Sequence, residues 1–176
     1  HLDEGADNAC NGGSDDVCDA SGNGNHGDIS SAPSIVQGKM GKARDFDGGD
    51  DYIQIADSDD WDFGSGDFSI DFWVKLGASG AQDLFSQYQD ASNRNYSRIS
   101  GSNTIMGLFE TSSITDSFYV SSNTVLETNS WYHVACVRDG SNGYLYINGQ
   151  LDDTDSISGS LGNLAADLYL GYDTNY

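Results

Sequence analysis

The chain has 176 residues, with 28 acidic side chains against seven basic ones and a formal net charge of −21. Such a length suits one domain with a sizeable core, and the charge repels nucleic-acid phosphates and anionic membranes while attracting divalent cations. The same charge also serves plain solubility, or work in brine where salt screens self-repulsion.

Composition argues against helix. The acids are almost all Asp, with Glu only at Glu4, Glu110 and Glu127, and Gly is abundant at 22 while Pro occurs once. Asp favours turns and caps, whereas Glu favours helix interiors. No apolar run approaches the roughly 20 residues of a membrane span, and no signal peptide is present, as expected of a mature or excised chain.

In chain order, Cys10 and Cys18 come first, close together in a polar Gly/Asp loop. A bridge between them would close a short loop and imply an oxidising, extracellular setting. The alternative is a metal site, but no matching Cys/His pair lies nearby. Cys136 sits among apolar neighbours, where a free thiol acts as a small hydrophobe.

Next comes Asp19-Ala20-Ser21-Gly22-Asn23-Gly24-Asn25-His26-Gly27. Glycines here permit positive φ and sharp reversals, so the flanking oxygens can converge on one point. Converging hard oxygens are what Ca²⁺ selects. Asp19, Asn23 and Asn25 are the candidate side-chain ligands, Ser21 and Gly24 the candidate carbonyl donors, and His26 a turn cap. The competing reading is a loop of ordinary turn formers.

Strands are expected at Ala43–Asp47 and Asp51–Ile55, joined by a Gly48-Gly49 hairpin turn. The acids from Asp45 to Asp51 form a weaker candidate cation cluster, which that plain turn also explains. Trp61, between Asp60 and Asp62, is a candidate exposed aromatic. Phe68–Val74 alternates Phe68, Ile70, Phe72 and Val74 against Ser69, Asp71 and Trp73, a period-2 strand.

Further strands are expected at Asp83–Gln89, Tyr96–Ser100, Thr104–Glu110, Ile114–Val120 and Leu168–Gly171. Between the first two, Gln87 to Tyr96 mixes aromatics with amides and charges, as a sugar-binding surface requires: apolar stacking positions the ring, and polar groups choose the hydroxyls. Tyr88, Asn93, Arg94 and Tyr96 are the candidates here, with Trp61 in reserve. Packing of Tyr88 against Tyr96 across the strands is the competing reading.

Trp131–Arg138 carries apolar groups on both faces, which suits a central strand covered on both sides. Asp139-Gly140 and Asn142-Gly143 join it to the strand around Tyr144–Asn148, and Asn148-Gly149 signals a type I′ hairpin to Gln150–Ile157. Many short antiparallel strands with turns between them read as an all-β, two-sheet sandwich. There is no internal repeat or linker.

Several of these segments, in this order and spacing, resemble one family. They are Leu2-Asp3-Glu4-Gly5, the Asp19 run, Arg44-Asp45-Phe46-Asp47-Gly48, Phe68-Ser69-Ile70-Asp71-Phe72-Trp73-Val74, Trp131-Tyr132-His133-Val134-Ala135, Leu145-Tyr146-Ile147-Asn148-Gly149 and Leu168-Tyr169-Leu170-Gly171. The chain is similar over nearly its whole length to the laminin-G-like, concanavalin A-like jelly-roll domains of secreted and surface proteins. That resemblance implies a β-sandwich binding glycans or proteins, often with a calcium ion, in adhesion or targeting. The family usually continues into a last strand whose acid would close the calcium sphere. This chain stops at Tyr176 and lacks a full first strand, so it reads as one laminin-G-like domain, 1–176, excerpted from a longer polypeptide. An open sheet edge would then invite self-association.

Catalysis finds less support. A glycosidase needs two carboxylates about 5–10 Å apart, and no two Glu lie close in sequence. His133 has no carboxylate or nucleophile at a suitable offset and reads as a packed or hydrogen-bonded histidine. No Ser-His-Asp arrangement, phosphate loop or zinc spacing occurs. The sequence therefore reads as an extracellular, secreted or surface binding module for a glycan or protein partner, with calcium as its cofactor and neither nucleic acid nor membrane insertion involved. A decoration domain of a surface filament, adhesin or viral fibre is the alternative, and a polysaccharide-degrading enzyme the weaker one.

Overall fold

The computed structural model describes Cys10, residues 17–111 and residues 113–172. Leu2-Asp3-Glu4-Gly5 and Tyr176 lie outside the described residues, and with them the readings about the first and last strands.

Strands β1 (Gly27–Ser30), β2 (Ser34–Gln37), β3 (Lys42–Asp45) and β4 (Tyr52–Ile55) precede a single 3-10 turn at Asp59–Trp61. Then follow β5 (Phe68–Lys75), β6 (Gln82–Asp90), β7 (Asn93–Ile99), β8 (Thr104–Thr111) and β9 (Ser113–Val125). The chain continues through β10 (Trp131–Asp139), β11 (Asn142–Ile147), β12 (Gln150–Ser156) and β13 (Leu168–Leu170). One sheet runs β1-β4-β13-β6-β7-β8-β9, a second β12-β11-β10-β5, and β2 pairs with β3 alone. The result is an all-β antiparallel sandwich.

The core lies between the two larger sheets. Phe85, Ile99, Ile105, Phe109, Phe118 and Val120 from the first meet Val134, Cys136, Leu145 and Ile147 from the second. Phe109 stacks on Phe118 at 5.5 Å, and Phe68 of β5 reaches Phe109 at 5.2 Å. Each such buried side chain contributes roughly 1.5–3 kcal/mol. A Cβ at Gly143 would run into the Phe118 ring, so the close approach of β11 to that ring demands glycine. Asn148 and Gly149 have φ of 51° and 77°, both positive as a type I′ turn requires.

Arg138 ends the inward row of β10 and is 4 % exposed. Its guanidinium donates to the carbonyls of Gly140 (3.0 Å), Gly64 (3.1 Å) and Gly159 (2.7 Å), tying three loops to one strand.

Three expectations need correction. β1 and β2 are strands the sequence pattern does not announce, being four residues each with half-buried faces. Gly48-Gly49 is no hairpin turn, because β3 pairs with β2 while β4 pairs with β1 and β13. The Trp131 strand is central in its sheet, but only its inward face is buried. The outward one is half-open, with Lys75 lying 5.3 Å over Trp131 and Lys39 lying 5.4 Å over Trp73.

Candidate functional site

The Asp19 loop is built around one carboxylate. Asp19 Oδ1 accepts from the Ser21 amide (2.8 Å), and Oδ2 accepts from the Ser21 hydroxyl (2.6 Å) and the Asn25 amide (3.1 Å). The Ser21 hydroxyl and amide, then the Asn25 and Gly24 amides, pull its pKa down to about 2. Gly22 and Gly24, at φ of 89° and 85°, make this wrapping possible. The Asp19 amide donates to His26 Nδ1 at 3.0 Å, so His26 does cap the turn. The Cys10–Cys18 disulfide, with Cα atoms 5.3 Å apart, anchors the entry to the loop. Val17 and Gly27 exchange both backbone hydrogen bonds at its base.

The structure brings Asp19, Ser21 and Asn25 together and adds a residue the sequence reading missed. Asn25 Nδ2 donates to Asp60 Oδ2 at 2.5 Å, across 35 positions of sequence. Asn23 is exposed, and its amide donates to Ser21 Oγ. Asp19, Asp60 and the side-chain oxygens of Asn23 and Asn25 are of the kind a hard divalent cation selects, while here both Asp19 oxygens accept hydrogen bonds within the loop and Asn25 turns its Nδ2 to Asp60.

Trp61 is not an exposed platform. It is half-buried and lines a cavity of about 150 Å³ with Val17, Cys18, Asp19, Asn25, Gly27, Ile53, Ile55 and Leu170. The 3-10 turn that ends at Trp61 is capped by the Ser58 side chain and turns the indole inward.

The carboxylates of Asp47, Asp50 and Asp51 lie within 4.8 Å of one another. Asp45 belongs to β3 and stands apart from them. Local hydrogen bonds occupy the trio: the Asp47 amide donates to Asp51, the Gly49 amide to Asp47, and the Ser31 hydroxyl to Asp50.

The aromatic and charged residues of the β6–β7 hairpin divide by strand parity. Gln87 and Asn95 point inward. Gln87 donates to the carbonyls of Leu164 and Ala166 and accepts from Asn95 at 3.1 Å. Tyr88, Arg94 and Tyr96 take the solvent face. In register, Tyr88 faces Arg94 and Tyr96 faces Ser86, so the two tyrosines are diagonal neighbours and not a direct pair. Asn93 donates to both Asp90 oxygens at 2.9 Å, within the hairpin turn. The Ser92 amide and then Asn93 lower the Asp90 pKa.

Tyr96 stands between two guanidiniums, Arg94 at 5.8 Å and Arg98 at 5.5 Å from its ring centre. Glu110 of β8 holds Arg94 at 3.0 Å, and Asp83 of β6 holds Arg98 at 3.0 Å. The sequence reading missed Arg98, Glu110 and Asp83, and also a cluster of three tyrosines on this face. Tyr52 lies 5.2 Å from Tyr172 and 5.7 Å from Tyr169. Burial, followed by Asp167 and the two other tyrosines, raises the Tyr169 pKa. Arg98 lies two residues from Tyr96 on β7, within reach of period-2 alternation, but the meetings with Glu110, Asp83 and Tyr52 join separate elements, which alternation within a strand does not reveal.

His133 does have a carboxylate partner. Its Nε2 lies 3.2 Å from Asp71 Oδ1, supplied by the neighbouring strand β5 in a diagonal register. Asp71 is widely exposed and Trp73 packs 5.3 Å from the imidazole, on the outer face of the four-stranded sheet. The histidine is thus hydrogen-bonded and ring-packed.

Comparison with solved structures gives domain 4 of AbnA, a GH43 extracellular arabinanase from Geobacillus stearothermophilus, in complex with arabinotriose. It has a TM-score of 0.71 and 22% identity over 90% of this chain and 79% of that one. An S-layer domain-containing protein of Clostridium thermocellum matches at a TM-score of 0.56 and 28% identity, over 89% and 70% of the two chains. Domains LG4-5 of the mouse laminin alpha1 chain match at 0.51 and 16%, over 62% and 29%. No curated protein matches by sequence. The family model of the concanavalin A-like lectin/glucanases superfamily, in its laminin G form, matches residues 47–176. With the sandwich built as described, the chain belongs to the laminin-G-like branch of the concanavalin A-like lectin/glucanases superfamily.

Proposed function

We propose that this domain is a non-catalytic, extracellular glycan-binding module that holds sugar on the solvent face of its seven-stranded sheet. One observation carries the reading: Tyr96 stands between Arg94 and Arg98, each fixed by a carboxylate from a facing strand. With guanidiniums over the Tyr96 ring, the apolar C–H face of a sugar would rest on the neighbouring Tyr88 phenol while its hydroxyls meet the charged edge of this stack. Guanidinium and carboxylate groups already locked in place bond hydroxyls at little entropic cost. Tyr88 extends the aromatic surface on the same side. Asn93 borders it at the hairpin turn.

Calcium is the second part of the proposal. Asp19, Asn25 and Asp60 would hold the ion, with Ser21, Asn23 and Gly24 offering further oxygens, and the ion would stiffen the loop at the sheet edge. The disulfide fits an oxidising, extracellular setting. The arabinotriose bound to domain 4 of AbnA makes arabino-oligosaccharides the first ligands to try.

A glycan array, read with calcium and with chelator, tests the reading. Binding that Tyr96→Ala weakens about tenfold supports it. A second reading, a structural decoration domain, draws on the likeness to an S-layer domain-containing protein. It expects silence across the array together with ordered self-association, and that result would replace the lectin reading. Turnover of a polysaccharide would move the enzyme reading to the front.

A further inference from the structure

The two sheets end in edges of different kinds. On β9, an outer strand of the large sheet, the amides of Tyr119, Ser121 and Asn123 donate to the carboxylates of Asp155, Asp153 and Asp152. Those aspartates belong to β12 of the other sheet, so side chains already occupy these edge donors. β5 differs. It is an outer strand of the four-stranded sheet, and among the described residues it pairs with β10 alone, in a register that runs unbroken along its 8 residues.

The neighbouring hairpin fixes which way the backbone of β5 points. His133 of β10 turns both its N–H and its C=O to Asn148, away from β5. Trp73, directly opposite His133, is therefore in a non-hydrogen-bonded pair with it and turns its own N–H and C=O to the free edge. By period 2, Ser69, Asp71 and Lys75 do the same. None of these four amides finds a partner among the described residues. The inward row beside this edge, Phe68, Ile70, Phe72 and Val74, packs on the core yet is only half-buried. A long, regular edge with a half-open apolar row is a site for one more strand.

Charge names the strand. Asp71 and Lys75 stand two residues to either side of Trp73, opposite in sign and on the same outward face. A second β5 laid antiparallel about a two-fold axis at Trp73 sets each Asp71 against Lys75 of the other copy. The same register sets Trp73 against Trp73 and Phe72 against Val74. It also brings the edge-facing N–H and C=O groups of Asp71, Trp73 and Lys75 opposite one another, as a ladder requires. Lys75 is one of seven basic residues in a chain of −21, and the Asp71 side chain is 63 % exposed. Lys39 reaches over Trp73 from the β2–β3 turn, but neither β2 nor β3 pairs with β5.

We propose that β5 is a self-pairing edge, at which two copies of this chain join antiparallel about Trp73 and fuse their four-stranded sheets into one continuous sheet. An edge contact lies at the small end of interface sizes, so the pairing is weak and reversible and needs concentrated protein. It leaves the seven-stranded sheet free, and it stands whether or not a glycan binds there.

Sedimentation equilibrium over a protein concentration series tests the pairing, in about 0.3 M sodium chloride so that the like net charges are screened. The unaltered chain should show a monomer–dimer equilibrium. Asp71→Lys and Lys75→Asp should each weaken the dimer about tenfold, because each sets like charges opposite one another at both symmetric positions. The variant carrying both reversals should return to within about threefold of the unaltered chain. Net charge alone gives another pattern: Asp71→Lys makes the chain less negative and would strengthen association, while Lys75→Asp would weaken it. Melting curves confirm that each variant is folded, since Asp71 also bonds His133. The proposal is overturned if the unaltered chain stays monomeric at the highest concentration, if the two single variants move in opposite directions, or if the double variant fails to recover. Assembly beyond the dimer would overturn it too, because a two-fold contact closes at two copies.

Discussion

At the scale of single residues, the most consequential side chain for stability is Arg138. Its three carbonyl partners lie in separate loops, around Gly64, Gly140 and Gly159. Arg138→Met keeps the apolar stem and strands all three acceptors, each worth about 1 kcal/mol net or more when left buried. Urea unfolding should show a loss of about 2–4 kcal/mol, and a loss under 1 kcal/mol would mean that water replaces the guanidinium. Asp19 makes a pH-dependent contribution. Its folded pKa of about 2 lies below the ordinary 3.8, so its stabilising effect is complete above the unfolded value. That effect fades as pH falls from about 4 towards 2, the folded pKa. Asp19→Asn should flatten the acid limb of the melting curve in that window; an unchanged limb would assign it to other carboxylates. Cysteine chemistry divides the same way. Cys136 is fully buried, and desolvation pushes its thiol up to about 12, so native protein should resist alkylation there. Cys10 and Cys18 should stay blocked until reduced, and mass mapping under non-reducing conditions checks both statements.

At the scale of elements, β5, β10 and the β10–β11–β12 meander were legible because alternation and Asn-Gly or Asp-Gly turns are local signals. The Asn148-Gly149 turn adopts its expected backbone because only positive φ closes a two-residue hairpin between right-twisted strands. Gly143→Ala should cost about 1–3 kcal/mol, since its Cβ must displace the Phe118 ring from a packed core. A neutral effect on the unfolding midpoint would show that β11 can retreat. What the sequence hid were the pairings between distant elements. β13 inserts between β4 and β6, so Tyr169 meets Tyr52 and Ser86 by a crossover that no local pattern announces. The same blindness concealed Asp60 beside Asn25 and Asp71 beside His133. Short β1 and β2 escaped because four residues with half-buried faces carry too few alternations to count. Trp61 was misread for a related reason: a tryptophan flanked by Asp on both sides looks solvated, yet one 3-10 turn suffices to roll it inward.

At the scale of the whole molecule, charge is the dominant fact, and it bears on how the calcium proposal must be tested. With −21 spread over one sandwich, the folded state works against its own field, and any salt relieves it. Raising sodium chloride from low ionic strength to about 1 M shortens the screening length from tens of ångströms to about 3 Å. The melting temperature should rise over that range with no specific site involved. Calcium adds a second effect if it binds at Asp19, Asn25 and Asp60, because a ligand selective for the folded state stabilises by mass action, about 2.7 kcal/mol at a hundredfold excess over its dissociation constant. The two effects separate at high salt, where screening is saturated. There, millimolar calcium should still raise the melting temperature, magnesium should do so less because it sheds its waters reluctantly, and Asp19→Ala should remove the calcium increment alone. Should calcium have no effect once sodium chloride is at 1 M, its action at low salt is general screening, and the loop from Asp19 to Gly27 is a turn held together by its own carboxylate.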